Sequence, residues 1–320
     1  MAKATPFILI GIDVSKAELV IARSDTSDTV IVANNRRAIR IWLRSLPAQS
    51  RVALEATGIY HREVAALLYE AGHMLYLLDA YKLNHYRSGV GTRAKTDMAD
   101  ARLILRYLTN ELEELKPWVP PGETFYRVQG LMRRRTKLVQ TRVALSQSLE
   151  GLPELKSLAR QIDTLIRRIE LLIVKRLKEV LKDAGWWDDA ERCKDVEGIG
   201  DLSAIALTNT FHRGQFKSSD AFIAYLGMDV RIRDSGKQVG RRKLTKKGDP
   251  ELRRLLYNAA MAARRTKAWA PLYQTYLAQG LKPIPALVKL ARKLARIVFA
   301  LMKNQSTYHP KSDERGCHVT

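Results

Sequence analysis

The spacing of short apolar runs near the start of the chain constrains the fold more than any other feature. FILIGID (7–13), ELVIARS (18–24) and DTVIVAN (28–34) follow one another across gaps built from Ser, Asp, Thr and Lys. Runs this short, bounded by turn formers, read as strands, and gaps this short make them a meander. RRAIRIWLRSL (36–46) then takes a helical period, and RVALEATG (51–58) is a strand ending in a turn. YHREVAALLYEAG (60–72) is a helix stopped by glycine, and HMLYLLDA (73–80) is a further strand. A loop containing KTD leads into the helix MADARLILRYL (98–108). The order βββαβαβα predicts a mixed sheet flanked by helices, an α/β domain over residues 1–118.

Pro117, Pro120 and Pro121 mark a boundary, and the pattern changes beyond them. Residues 122–190 predict a helical region: a basic helix over 124–150 and a longer one over 154–184. In the second, Leu155, Leu158, Ile162, Leu165, Ile169 and Leu172 alternate spacings of three and four, a heptad seam that predicts a helical hairpin or a dimeric coiled coil. Residues 191–305 predict a mainly α-helical third domain. The polar tail 306–320 predicts disorder.

Charge divides along the same line. The formal net charge is +22, and residues 1–120 carry 16 Lys and Arg against 13 Asp and Glu, while the rest carry 39 against 20. A surplus of +19 in the back part points to a polyanionic partner there, and the acids of the front part point to a separate task. Cys193 and Cys317 are far apart, and His61, His73, His85 and His212 show no ligand spacing, which argues against a zinc site or a disulfide framework. Nothing approaches the ~20 apolar residues of a membrane helix. A cytoplasmic protein is the expectation.

Four front-half acids stand out. Asp13 ends the first apolar strand and Glu55 ends the fourth, where an unpaired buried carboxylate would cost several kcal/mol. Asp97 and Asp100 are three apart at a helix start and share a face. If the first and fourth strands are neighbours, the four can converge as hard oxygen donors for Mg²⁺ or Mn²⁺. Each also has a plainer reading: Asp97 as an N-cap, Asp100 as a complement to the helix dipole, Asp13 and Glu55 as partners of lysines.

In the back half, VEGIGDLSAIAL (196–207) has the pattern of a helix-hairpin-helix, whose glycines Gly198 and Gly200 would let backbone N–H groups approach a DNA phosphate. Its plainer reading is a packing turn. Arg133, Arg134, Arg135 and Lys137 form a basic cluster on a helix. RDSGKQVGRRKLTKKG (233–248) surrounds Ser235 with cations, among them Arg241, Arg242, Lys243, Lys246 and Lys247. A serine hydroxyl is a weak nucleophile unless its proton is removed or its alkoxide stabilised. From the residues alone this stretch reads as a phosphate-gripping loop before it reads as a nucleophile's setting, because Ser-Gly is among the commonest turn dipeptides.

GIDVSK (11–16), EATGIY (55–60), KTDMADA (95–101), VEGIG (196–200), AYLGM (224–228), DSGK (234–237) and LTKKGDPELRRLL (244–256) occur in this order. Together they resemble the IS-one-ten family of insertion-sequence transposases, relatives of the Piv invertases, over residues 7 to 303. The resemblance implies a RuvC-like (RNase H-like) front domain with a DEDD tetrad at Asp13, Glu55, Asp97 and Asp100, and a transposase domain whose nucleophile is Ser235. It implies strand exchange through a covalent phosphoserine, a divalent ion, a dimer assembling to a tetramer on donor and target DNA, and guidance by a structured bridge RNA. In a bacterium the protein would sit with the nucleoid. Met228 and Asp229 depart from the family's usual Pro or Thr-Pro after AYLG. The rival reading is a metal-dependent nuclease or junction resolvase that uses water, with Ser235 as a phosphate contact.

Overall fold

The computed structural model describes residues 7–56, 58–91, 96–231, 234–235, 238–239 and 242–310. The chain divides into two compact units, 1–120 and 121–320.

The first unit is built on β1 (Leu9–Val14), β2 (Glu18–Arg23), β3 (Thr29–Ala33), β4 (Arg51–Glu55) and β5 (Met74–Leu78), with helices α1 (Arg36–Leu43), α2 (His61–Glu70), α3 (Ala80–Gly89) and α4 (Asp97–Glu111). The sheet order is β3-β2-β1-β4-β5. The expected meander is present as two antiparallel pairs, and β1 then runs parallel to β4, and β4 to β5. Side-chain alternation along β1 gives the sheet two different faces. Ile10, Ile12 and Val14 pack with Ile39 and Trp42 of α1 and with Val64 and Leu68 of α2. Leu9 and Ala53 pack with Leu103, Ile104 and Leu108 of α4.

One glycine sets how close α4 comes. A Cβ on Gly11 would lie 2.4 Å from the Leu105 backbone nitrogen and 2.5 Å from the Ala101 carbonyl oxygen. The helix backbone therefore rests directly on β1. Gly11 pairs with Ala22 on one side and Ala53 on the other, so the floor beneath α4 is made of small residues.

The segment between β5 and α4, expected as a loop, contains α3. Asn84, His85, Ser88 and Gly89 are poor helix formers, which hid it. Asp79 starts it by accepting hydrogen bonds from the backbone N–H groups of Tyr81 and Lys82 at 2.8 and 3.2 Å.

The second unit runs through α5 (Glu123–Ser148), α6 (Lys156–Asp183), α7 (Trp187–Lys194), α8 (Asp201–Phe211), α9 (Ser219–Tyr225), α10 (Pro250–Ala263), α11 (Ala270–Ala278) and α12 (Pro283–Asn304). Its core is one cluster, from Val128 and Met132 of α5 through Leu177 and Leu181 of α6 to Leu290, Leu294 and Val298 of α12. α5 and α6 form a helical hairpin, fastened by Glu170, which takes Arg135 at 3.3 Å and Arg142 at 3.1 Å. The heptad residues do not make that hairpin's seam. Leu158, Leu165 and Leu172 are 57%, 59% and 64% exposed, so the stripe faces outward from the single chain.

Between α9 and α10 the mainly helical expectation gives way to four two-residue strands: β6 (Val230–Arg231), β7 (Asp234–Ser235), β8 (Gln238–Val239) and β9 (Lys243–Leu244). They nest as antiparallel pairs, Val230 with Leu244 and Arg231 with Lys243, then Asp234 with Val239 and Ser235 with Gln238. Of the tail 306–320 expected to be disordered, residues 306–310 are described, with Tyr308 packed against the core of the second unit, while 311–320, Cys317 included, lie outside the described residues. Among those described, no helix is long and apolar enough to cross a membrane.

Candidate active site

The sheet register brings the front acids together. Ile12 pairs with Leu54 across parallel strands, so Asp13 and Glu55 are the next residues of β1 and β4 at the same end of the sheet. Asp13 is two residues beyond Gly11 and Glu55 two beyond Ala53. Both therefore fall on the face that carries α4. Thr96 and Asp97 of the KTD motif open α4 by this end, and Lys95 lies outside the described residues. Thr96 is its N-cap, accepting from the Ala99 backbone N–H at 3.2 Å. Asp97 is thus the first helical residue and not the cap, and Asp97 and Asp100 fall together in the first turn.

Asp13 registers the result. Its carboxyl is pushed up to about 6, first by burial and then by the negative charges of Asp100, Asp97 and Glu55. Acids brought this close repel one another, and burial disfavours the charged form further. One cation is already present. Arg87 of α3 meets Asp100 at 2.8 Å, with both side chains 18% exposed. Sequence reasoning missed Arg87 because it missed α3, and the Asp79 cap was the available signal. Among the described residues no three potential ligands are gathered tightly enough to enclose a metal ion. The four acids are an open cluster around Asp13 whose oxygen-only donors suit a hard divalent cation.

In the second unit Ser235 ends the inner ladder, paired with Gln238. Arg233, Gly236, Lys237 and Arg241 lie outside the described residues. Arg242, Lys243, Lys246 and Lys247 are exposed on the return strand and beyond it. The base of this hairpin is held by backbone contact. Gly227, at φ 66°, sits where a Cβ would come within 2.3 Å of the Gly248 nitrogen, and a Cβ on Gly248 would come within 2.4 Å of the Tyr225 carbonyl oxygen. Lys246 N–H donates to the Gly227 carbonyl at 3.1 Å, and the Thr245 hydroxyl meets the Asp229 carboxylate. The AYLG and KKGD motifs are thus two sides of one lock. Asp229, a departure from the family pattern, is used in it.

The other expected contacts divide. Gly198, at φ 97°, would place a Cβ 2.6 Å from the Ala259 carbonyl, so α10 accounts for the glycine there. Gly200 is the N-cap of α8, with open space where a Cβ would be. Arg135 is turned toward Glu170, while Arg133, Arg134 and Lys137 are exposed. Cys193 is buried, and burial pushes its thiol up to about 12, which makes it inert.

Two family descriptions match separate stretches of the chain: the DEDD transposase of IS110 elements over residues 10–154, and the transposase of the IS116/IS110/IS902 family over residues 190–274. A "Probable family 20 transposase" of Pseudomonas aeruginosa is 27% identical, covering 94% of this chain and 98% of that protein. The pilin gene-inverting protein of Moraxella lacunata is 22% identical over 95% and 98%. The transposase for insertion sequence element IS1111A of Coxiella burnetii is 27% identical over 57% of this chain and 60% of its own length. With the acids, the serine hairpin and both family matches in one chain, this protein is a transposase of the IS110 family.

Proposed function

We propose that the protein exchanges DNA strands through a covalent phosphoserine at Ser235, with a RuvC-like front domain whose acids Asp13, Glu55, Asp97 and Asp100 hold a divalent ion. The observation that carries this reading is the raised carboxyl of Asp13, surrounded by the three other acids of the tetrad. Such a cluster is costly for the empty fold and is relieved by a cation. A Mg²⁺ or Mn²⁺ ion there would supply charge neutralisation beside a scissile phosphate. The oxygen of Ser235 attacks phosphorus and loses its proton. One P–O bond forms as the bond to a sugar oxygen breaks, and that oxygen leaves as a hydroxyl. The reverse attack by a sugar hydroxyl on the phosphoserine rejoins the strand, so no external energy source is needed. The +19 surplus beyond residue 120 serves phosphate contact, with Arg133, Arg134, Lys137, Arg242, Lys243, Lys246 and Lys247 as its exposed members and Arg241 beside them in sequence.

Phosphate contacts do not read sequence, and a structured bridge RNA supplies that reading in this proposal, as in the family the chain resembles. The outward heptad stripe of α6 serves self-association, a second copy covering Leu158, Leu165 and Leu172, with two dimers joining donor and target. Ser235→Ala tests the central step. Denaturing gels of the wild type with DNA are expected to retain a protein–DNA adduct that the variant lacks, while the variant binds DNA at the wild-type level. A wild-type yield of adduct from Ser235→Ala would overturn the assignment to Ser235, and cleavage by the wild type with no adduct at all would return the chain to the water-using nuclease reading. Sequencing the RNA that copurifies with the protein tests guidance: random RNA alone rejects it.

A further inference from the structure

The second unit contains a cleft of about 530 Å³, a size typical of ligand pockets. Its walls come from α5, α8, α9 and the turn into α10. Phe125, Met132 and Tyr225 give it flat and polarizable apolar surface. Asn209 is part of its wall and is 5% exposed. The Asn209 amide donates to the Phe125 carbonyl at 3.4 Å, which fixes its orientation, and its Oδ1 is buried with no hydrogen-bond partner. An unmet buried acceptor has given up the hydrogen bond it makes to water in the unfolded chain. A ligand N–H would recover part of that.

Three cations, Arg133, Lys137 and Lys247, stand at the same cleft and form no ion pair among the described residues. The acids that also line it are already engaged. Asp249 caps α10 through the Glu251 N–H at 2.8 Å, and Glu251 takes Thr136 at 2.9 Å and Arg254 at 2.6 Å. Lys247 and Gly248 follow β9, the return strand of the Ser235 hairpin, and the Gly227–Gly248 lock fixes them against α9.

We infer that this cleft receives one unstacked nucleobase of a DNA strand, with its ring against Phe125, Met132 and Tyr225, an N–H on Asn209 Oδ1 and its phosphates on Arg133, Lys137 and Lys247. An aromatic and thioether wall, an empty acceptor and a cationic rim together match a flat heterocycle tethered to phosphate. The inference rests on the recombinase reading, since a strand being cut and moved to a new partner must be unpaired.

A single-stranded DNA oligonucleotide carrying one thiothymidine is irradiated with the full-length protein, and the labelled peptides are mapped. Labels are expected on α5 and on Tyr225. Ala224→Trp and Gln140→Trp each fill the cleft from an exposed position on a different helix. Each is expected to lower that labelling about tenfold, the equivalent of about 1.4 kcal/mol for one stacked base. Total DNA binding at low salt should stay within about twofold, because phosphate contacts dominate it. Labels confined to surface lysines, undiminished labelling in both variants, or cleft labelling only when the same sequence is RNA would each overturn the inference. Ser235-dependent adducts with an unlabelled cleft would reject the base pocket alone, and a labelled cleft without adducts would reject the recombinase reading alone.

Discussion

Both units place their candidate site residues by bringing backbone against backbone at glycine, but they do so on supports of very different depth. In the first, Gly11 lies in the central strand of a five-stranded sheet and lets α4 rest on it, which carries Asp97 and Asp100 to Asp13. In the second, Gly227 and Gly248 close a turn beneath a hairpin of two-residue strands that carries Ser235. The acid cluster needs a rigid support because its members repel one another. The serine ladder holds few hydrogen bonds of its own and depends on the lock at its base.

The lock is where the contrast breaks most readily. Gly227→Ala adds a Cβ against the Gly248 backbone at a positive φ, so strain and overlap act together. A loss of about 3–5 kcal/mol is expected in urea unfolding of the second unit, together with loss of covalent adduct. A variant that keeps wild-type stability would mean that the two turns are not locked. Gly11→Ala follows, at about 2–3 kcal/mol, because its φ is ordinary and only overlap acts. It also carries a sharper signature. Lifting α4 moves Asp97 and Asp100 from Asp13, whose carboxyl should fall from about 6 toward 3.8 in an NMR titration. An Asp13 titration unchanged by Gly11→Ala would show that α4 spacing does not set the cluster.

How much of this could be read in advance follows the same division. Asp13 and Glu55 were legible because acids at the ends of apolar runs are conspicuous, while the pairing of β1 with β4 that joins them was only a condition of that reading, because the spacing of runs marks strands and not their order. Arg87 was not, because its helix is built from poor formers and is fixed by a cap and by tertiary contact. The serine hairpin was not, because two-residue strands among Arg and Lys carry no period at all. The heptad of α6 was legible as a pattern, while its exposure is a property of the folded chain. Gly198 shows the opposite case: a familiar turn pattern whose glycine is explained by the nearness of α10.

Asp13→Asn has a smaller effect on stability, and of opposite sign. Asp13 titrates near 3.8 unfolded and about 6 folded, so the folded state holds the extra proton between those values. Asp13's own contribution to the stability of the metal-free protein is therefore greatest below 3.8 and falls as pH rises through about 6. The full shift would be roughly 3 kcal/mol, and screening of this half-exposed carboxyl reduces it to about 1–2 kcal/mol. Asp13→Asn should recover that amount at pH 7 without metal and flatten the pH profile of the melt, while abolishing metal-dependent cleavage. A variant less stable than wild type at pH 7 would contradict the repulsion.

The smallest effect is expected at Arg87, and it separates electrostatics from packing. Arg87 is the cation that meets Asp100 at 2.8 Å. Arg87→Met keeps the length of the side chain and removes its charge, so the four acids repel one another with less to offset them. A loss of about 0.5–1 kcal/mol is expected without metal, the range for a pair still in touch with solvent. Adding Mg²⁺ or Mn²⁺ should then raise the melting temperature of the variant more than that of the wild type, because a ligand stabilises by its affinity for the folded state and the variant's acids have lost a competing cation. If the ion instead raises both by the same amount, Arg87 holds α3 to α4 and has no part in the charge balance of the acids.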